Sequence, residues 1–193
     1  MAQHPELYIL RHGETEWNAE GRIQGRLDSR LTARGRDQAR RQGEILRGAG
    51  VSEATHDFWV SPQGRAQETA AIALSGLSAA PLVDSRLREI SLGPFDGLTR
   101  AEIGARYPDA FAETDPFLWY DTPPGGEGFA ALAARLGAFL SEIERPAVIV
   151  AHGIVSRFLR GAVLDLDLDG IAALPGGQGV VFHLKDGVQT CLV

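Results

Sequence analysis

Residues 6–13 read Glu-Leu-Tyr-Ile-Leu-Arg-His-Gly, and residues 147–153 read Ala-Val-Ile-Val-Ala-His-Gly. In both, a short apolar run without polar alternation stops abruptly at a His-Gly pair. Such runs suit strands buried on both faces of a sheet. A third run, Asp57–Ser61 (DFWVS), is followed by Pro62 and then Arg65. The segments between them carry helical signals. Thr32 reads as an N-cap for a helix over 33–47, with Gly48 and Gly50 as stop signals. Residues 64–74 place Ala66, Ala70 and Ala73 on one close-packing face. Phe129, Leu132, Leu136, Phe139, Leu140 and Ile143 recur at helical spacing over 129–143, and 153–164 reads as another helix. Val180–Leu184 and Val188–Leu192 fit a closing hairpin around Asp186-Gly187. Strands alternating with helices predict an α/β protein: three layers, α/β/α, around a mostly parallel central sheet.

Working outward, residues 13–31 are polar and punctuated by glycine. Leu82–Glu89 reads as extended, Leu92–Leu98 as a Gly/Pro loop, and Thr99 as the cap of a helix to Tyr107. Residues 108–128 combine prolines, glycines and a small aromatic group (Phe111, Phe117, Trp119, Tyr120). They predict an irregular excursion over the site. The expected organisation is one domain over 1–193, with that excursion at about 99–128.

The chain has 193 residues, 44% hydrophobic and 23% charged, which excludes disordered and collagen-like classes. A net charge of −6 argues against nucleic acid as a partner. The single Cys191 excludes an internal disulfide and a cysteine zinc site. The most apolar stretch, 146–164, is broken by His152, Arg157 and Arg160, so no membrane span and no membrane partner are expected. No secretory signal pattern opens the sequence, and a cytoplasmic protein is the expectation. A homodimer stays open, because an oligomeric state cannot be read here. No metal site is expected, since the five histidines lack ligand spacing. Asp165–Gly170 mimics the first half of a calcium loop, but Gly176 stands where a bidentate Glu is required, so the run reads as a solvated turn.

In open α/β sheets, ligands bind at the carboxyl ends of the strands. Arg11, His12, Arg65 and His152 all follow strand ends and are therefore predicted to converge. Two arginines and two histidines on an acidic protein make a cationic pocket suited to a tetrahedral anion. A neutral histidine can serve as nucleophile, and the second can stabilise developing charge. Taken singly, each residue would more often be a solvated strand end. Two His-Gly pairs after apolar runs make coincidence a poor account.

Leu10-Arg-His-Gly-Glu-Thr-Glu-Trp-Asn18 resembles the signature of the histidine phosphatase superfamily, which contains the cofactor-dependent phosphoglycerate mutases and related phosphatases. Further blocks are similar and occur in the family's order: Gly21–Gly35, Ser61–Ala70, Leu87–Gly97 and Val150–Gly153. The resemblance implies a phosphoglycerate mutase-like fold and no cofactor. It implies that His12 is the nucleophile, forming a phosphohistidine. Arg11, Arg65 and His152 would hold the phosphoryl oxygens, and Glu89 would act as general acid and then base. Asn18 would donate to the phosphoryl group. Gln24 and Gly25 would lie at the pocket mouth, and Gly153 beside His152. Without the family, Glu89 reads equally as a surface carboxylate paired with Arg86 or Arg88. Pro123–Gly128 resembles a Pro-Gly-Gly-Glu-Ser segment, with Gly128 where serine is usual.

Ile90–Gly97 resembles the phosphatase branch and lacks the Arg-x-Tyr-Gly character of mutases. Between Glu89 and Gly128 the only basic residues are Arg100 and Arg106. The expected partner is a small-molecule phosphate monoester, hydrolysed without metal. Alpha-ribazole phosphate, phosphoserine, sugar phosphates and phosphoglycerates all remain open as substrates. The alternatives are a mutase that holds a second phosphate through Arg22, Arg26 or Arg30, and a non-catalytic phospho-ligand-binding module.

Overall fold

The computed structural model describes residues 4–77, 80–112 and 115–193. Its centre is a six-stranded sheet in the order β3-β2-β4-β1-β5-β6. The strands are β1 (Leu7–Arg11), β2 (Asp57–Val60), β3 (Leu82–Val83), β4 (Ala147–Ala151), β5 (Val181–Lys185) and β6 (Val188–Leu192). The pairs β3·β2, β2·β4 and β4·β1 are parallel, and β1·β5 and β5·β6 are antiparallel. The expected mostly parallel sheet is what forms. The β5–β6 turn has positive φ at both Asp186 (50°) and Gly187 (74°), the backbone that a two-residue hairpin requires.

Side chains along the central strands alternate between two apolar layers. Leu7, Ile9, Ala147, Ile149 and Ala151 join one core, while Tyr8, Leu10, Val148 and Val150 join the other. This is why the runs show no polar alternation. The first layer is closed by α5 (Phe129–Leu140) and α6 (Gly153–Val163). The second is closed by α2 (Ala33–Gly48) and α3 (Gly64–Ala73), through Leu46, Ala66, Ala70 and Ala73. Helices α2 and α3 approach so closely that a Cβ on Gly43 would lie 2.4 Å from the Ala73 carbonyl oxygen. Among the described residues no helix is long and apolar enough to cross a membrane.

Several local expectations change. The extended segment 82–89 shrinks to the two-residue β3, because the Asp84 carboxylate accepts from the Arg86 backbone N–H and turns 85–87 into a 3-10 helix. The polar stretch after β1 holds a short helix, α1 (Glu16–Ala19), closed by a Thr15–Asn18 capping box. The Asp165–Gly170 run is not a free turn. Asp167 caps α7 (Leu168–Ala173), which buries Ile171 against Gly161, where a Cβ would meet that side chain at 2.3 Å. The helix from Phe129 ends at Leu140, short of Ile143.

Thr99 does cap α4 (Arg100–Arg106), through a capping box with Glu102. Residues 107–112 and 115–128 are irregular, with 3-10 turns at Pro108–Phe111 and Leu118–Asp121; residues 113 and 114 of the expected excursion lie outside the described residues. Its aromatic side chains mostly pack inward. Trp119 is 1% exposed and stacks between Phe95 and Phe111, at centroid distances of 5.9 and 5.6 Å. Gly128, at φ 74°, is the N-cap of α5 and has no side chain to fill that role. Asp121 supplies it from a distance, its Oδ1 accepting the Phe129 backbone N–H.

Candidate active site

Parallel pairing decides which side chains meet. β1 and β4 are in register with Arg11 opposite Ala151, so the next residue of each strand is a histidine. The ladder continues one step, with the His12 N–H donating to the Ala151 carbonyl at 3.0 Å. The two imidazoles lie 5.3 Å apart, tilted by 58°. β2 flanks β4 on its other side, and the Ser61 N–H donates to Val150 O at 3.0 Å. That delivers the first turn of α3, and with it Arg65, to the same end of the sheet. Gly13 lets the chain leave β1 tightly, since a Cβ there would fall 2.2 Å from the Gly35 carbonyl oxygen.

His12 is held by both ring nitrogens. Nδ1 lies 2.8 Å from the Gly13 carbonyl oxygen, and Nε2 lies 3.2 Å from Arg65 Nε. A guanidinium N–H only donates, so Nε2 presents its lone pair and Nδ1 carries the proton. Burial, reinforced by the Arg11 and Arg65 charges, holds His12 well below the usual histidine range. The result is a neutral imidazole with its lone pair toward the cations. His152 is likewise pushed well down, by burial first and then by Arg65 and His12. Its Nε2 is 2.7 Å from Ser61 Oγ, and its buried Nδ1 has no partner. His152 is fully buried beside His12, outside the lining of the cavity.

Arg65 is fixed on every nitrogen. Besides His12, it donates to Leu27 O (2.6 Å), Asp28 Oδ1 (3.0 Å) and Gly25 O (3.0 Å). Burial lowers its pKa while Glu89 and Asp28 raise it, and guanidinium remains charged. The carbonyl of Gly25 is thus a structural acceptor. Its φ is 48°, and a Cβ would collide with the Asp96 carboxylate. The Arg11 Nε is buried without a partner.

Glu89 is not paired with Arg86, which instead binds Asp84 and Glu142 at 2.7 Å each. Its carboxylate rests on the N-terminus of α6, accepting from Ile154 and Val155 at 3.3 Å each, and from its neighbour Ile90 at 3.0 Å. The Asn18 oxygen accepts from Thr15 N and Gln178 Nε2, at 3.2 and 3.1 Å, which leaves its NH2 as the free donor. Gln24 is 7% exposed, and its buried Oε1 lacks a partner.

These groups border a cavity of about 660 Å³, whose wall includes Arg11, His12, Asn18, Arg65 and Glu89. Gln24, Gly25 and Gly153 line it too, and Phe117 and Tyr120 of the excursion close one side. Among the described residues, no group of three or more His, Cys, Asp or Glu could hold a metal ion.

The whole arrangement follows one family pattern, and the model of the histidine phosphatase superfamily (branch 1) matches residues 7–187. The chain belongs to that superfamily. It is 36% identical over 187 residues to a glucosyl-3-phosphoglycerate phosphatase of Mycolicibacterium vanbaalenii, covering 90% of this chain and 80% of that protein. It is 37% identical over 171 residues to a probable phosphoglycerate mutase, GpmB, of Salmonella paratyphi B, covering 83% and 75%. Among solved structures, a mycobacterial glucosyl-3-phosphoglycerate phosphatase in complex with VO3 superposes with a TM-score of 0.78 at 35% identity, over 94% and 92% of the two chains. The phosphoglycerate mutase-like fold expected from the sequence is therefore the fold found.

Sequence reasoning passed over several residues of this superfamily site. Gln63 accepts from the Glu89 N–H at 2.7 Å and donates to Gly25 O at 3.0 Å, tying the acid-bearing loop to the loop that grips Arg65. Ser61 orients His152, and Thr69 accepts from the Gly13 N–H at 3.0 Å. Ser61 and Gln63 were within reach, because they stand four and two residues before Arg65. Gln178, which donates to His12 O at 3.2 Å from a distant loop, had no signal at all.

Proposed function

We propose that this chain is a metal-independent phosphatase that hydrolyses small-molecule phosphate monoesters through a phosphohistidine on His12. The observation that carries this reading is the neutral His12, its Nε2 lone pair directed at Arg65 inside a cavity that also holds a carboxylate. In the first step Nε2 attacks phosphorus in line as the P–O bond to the alcohol breaks. Glu89, protonated, gives its proton to the leaving oxygen. In the second step water attacks the phosphohistidine and loses a proton to Glu89, which releases orthophosphate and regenerates the imidazole. Splitting the hydrolysis in this way replaces one hard displacement by two easier ones. Arg11, Arg65 and the Asn18 NH2, which all line the cavity, supply the donors that phosphoryl transfer needs. Arg65 Nε passes from His12 to a phosphoryl oxygen when substrate enters. Ser61 and Gln63 act as positioning residues.

The phosphatase among the relatives supports hydrolysis, and the commitments of the outer cations support it further. Arg22 is paired with Glu102 (2.7 Å) and Glu20 (3.5 Å), and Arg26 with Glu127 (3.2 Å). Arg100 lies over Phe111 and Trp119. A mutase that held the second end of a bisphosphate through Arg22, Arg26 or Arg100 would need them free. The relative named as a mutase keeps that alternative in the test. A binding module would have no use for an acid over the site.

The test is hydrolysis of an aryl phosphate in EDTA, beside metabolite monophosphates, for the wild type and His12→Ala. Turnover by the wild type and its loss in the folded variant are expected. Isomerisation of 3-phosphoglycerate only with added bisphosphate would make the chain a mutase. Silence in both assays would leave binding.

A further inference from the structure

The cavity is larger than a phosphoryl group needs. At about 660 Å³ it falls among sites that enclose small organic molecules. Beyond the phosphoryl end its wall is built by α6, through Ser156, Arg157 and Arg160, with Ala172 of α7 facing them. Arg160 is structural: it donates to Ser156 O (3.1 Å), Gln189 Oε1 (3.0 Å) and Pro175 O (2.8 Å) and lies 3.8 Å from the Phe182 ring centroid. Arg22, also in the lining, is neutralised by its two glutamates.

Arg157 differs from both. Its Nη1 donates to the Ala172 carbonyl at 3.0 Å, and its guanidinium sits 5.4 Å from the Phe117 ring centroid. Among the described residues no carboxylate pairs with it, and no hydrogen bond engages Nε or Nη2. Those two N–H groups lie along one edge of the fork, the edge that grips a carboxylate bidentately. The preceding residue adds a second observation. Ser156 is 2% exposed, lines the same wall, and its Oγ has no partner among the described residues. A buried hydroxyl left unpaired is costly unless a ligand engages it.

Resting on the phosphatase reading above, we propose that Arg157 and Ser156 form a subsite for a carboxylate on the alcohol portion of the substrate. The substrate class is then phosphate monoesters of hydroxy acids. Arg11 and Arg65 take the phosphoryl end, and Arg157, held by Ala172 and Phe117, takes the far anion at little ordering cost.

The experiment compares matched esters on the wild type, Arg157→Gln and Arg157→Lys. The pairs are meta- and para-carboxyphenyl phosphate against their carboxamides, and 3-phosphoglycerate against glycerol 3-phosphate. The wild type should favour the carboxylate by about tenfold or more in kcat/KM, carried by KM, as expected for one charged hydrogen-bonded contact. Arg157→Gln should erase that preference and Arg157→Lys restore part of it. A wild type indifferent within every pair, or a preference that survives in Arg157→Gln, overturns the subsite and leaves the phosphatase reading intact. If the wild type hydrolyses nothing, the phosphatase reading fails instead. Calorimetric binding of 3-phosphoglycerate and glycerol 3-phosphate then decides. A carboxylate preference lost in Arg157→Gln supports the subsite, and equal binding overturns it.

Discussion

At the residue scale, chemistry here depends on which atoms are already occupied. His12 has one nitrogen tied to a carbonyl and the other facing a cation that can only donate. His152 is buried beside it. Both are held well below the usual histidine range by burial and by neighbouring positive charge. Their imidazole resonances should therefore stay at the neutral position in NMR titrations from pH 8 to pH 6. A midpoint for either near the ordinary histidine value of about 6.5 would contradict the neutral-nucleophile geometry. Glu89 is assigned to the leaving oxygen, so Glu89→Gln should slow alkyl phosphates far more than aryl phosphates, whose leaving groups need no proton. Equal slowing of both would remove it from the acid role. Gln63 shows where residue-level reading stopped short. Its neighbour Arg65 was legible from type and position. Its own role depends on a hydrogen bond to residue 89, which no local pattern encodes.

At the scale of elements, capping decided where helices begin, and one cap came from outside its own segment. Thr32 and Thr99 were readable because a local side chain meets the third helical N–H. At α5 the local residue is Gly128, and Asp121 reaches its first turn across the excursion. Asp121→Ala should thus destabilise the fold by about 1 kcal/mol, the usual cost of a lost N-cap. Urea unfolding monitored by circular dichroism would measure it, and an unchanged midpoint would make the contact incidental. Conversely, α7 was missed because its six residues show too little periodicity. What stabilises it is Ile171 docking where Gly161 leaves room, a contact across the chain.

At the scale of the whole molecule, acid should weaken the fold in two stages with the same sign. An unfolded chain would protonate His12 and His152 below pH ~6.5, whereas the folded chain resists, so stability falls as pH drops below that value. Glu6, at the far end of β1, adds a second stage. Burial works to raise its pKa, but hydrogen bonds from His183, Lys185 and Tyr8 prevail and hold it at about 2, against an ordinary 4.5. Its contribution is present above pH 4.5 and is lost as pH falls from 4.5 towards 2. Melting temperature should decline steadily from pH 7 to pH 3, and Glu6→Gln should flatten the curve below pH 4.5. A wild-type curve that is level between pH 6 and pH 5 would contradict the histidine stage, and one that is level between pH 4.5 and pH 3 would contradict the Glu6 stage.

The sequence by itself determined the layered α/β plan, the central strands and the convergence of Arg11, His12, Arg65 and His152. Two-sided burial forces unbroken apolar runs, and such runs deliver their next residues to one end of a sheet. Only the tertiary structure decided which donors remain free. It assigned the tautomer of His12, seated Glu89 on α6 rather than beside Arg86, neutralised Arg22 and left one edge of Arg157 open. The first three of those outcomes depend on hydrogen bonds between residues 53 to 80 positions apart. Residue type and local spacing set where a side chain is delivered; the partners it meets there are set by the packing of the whole chain.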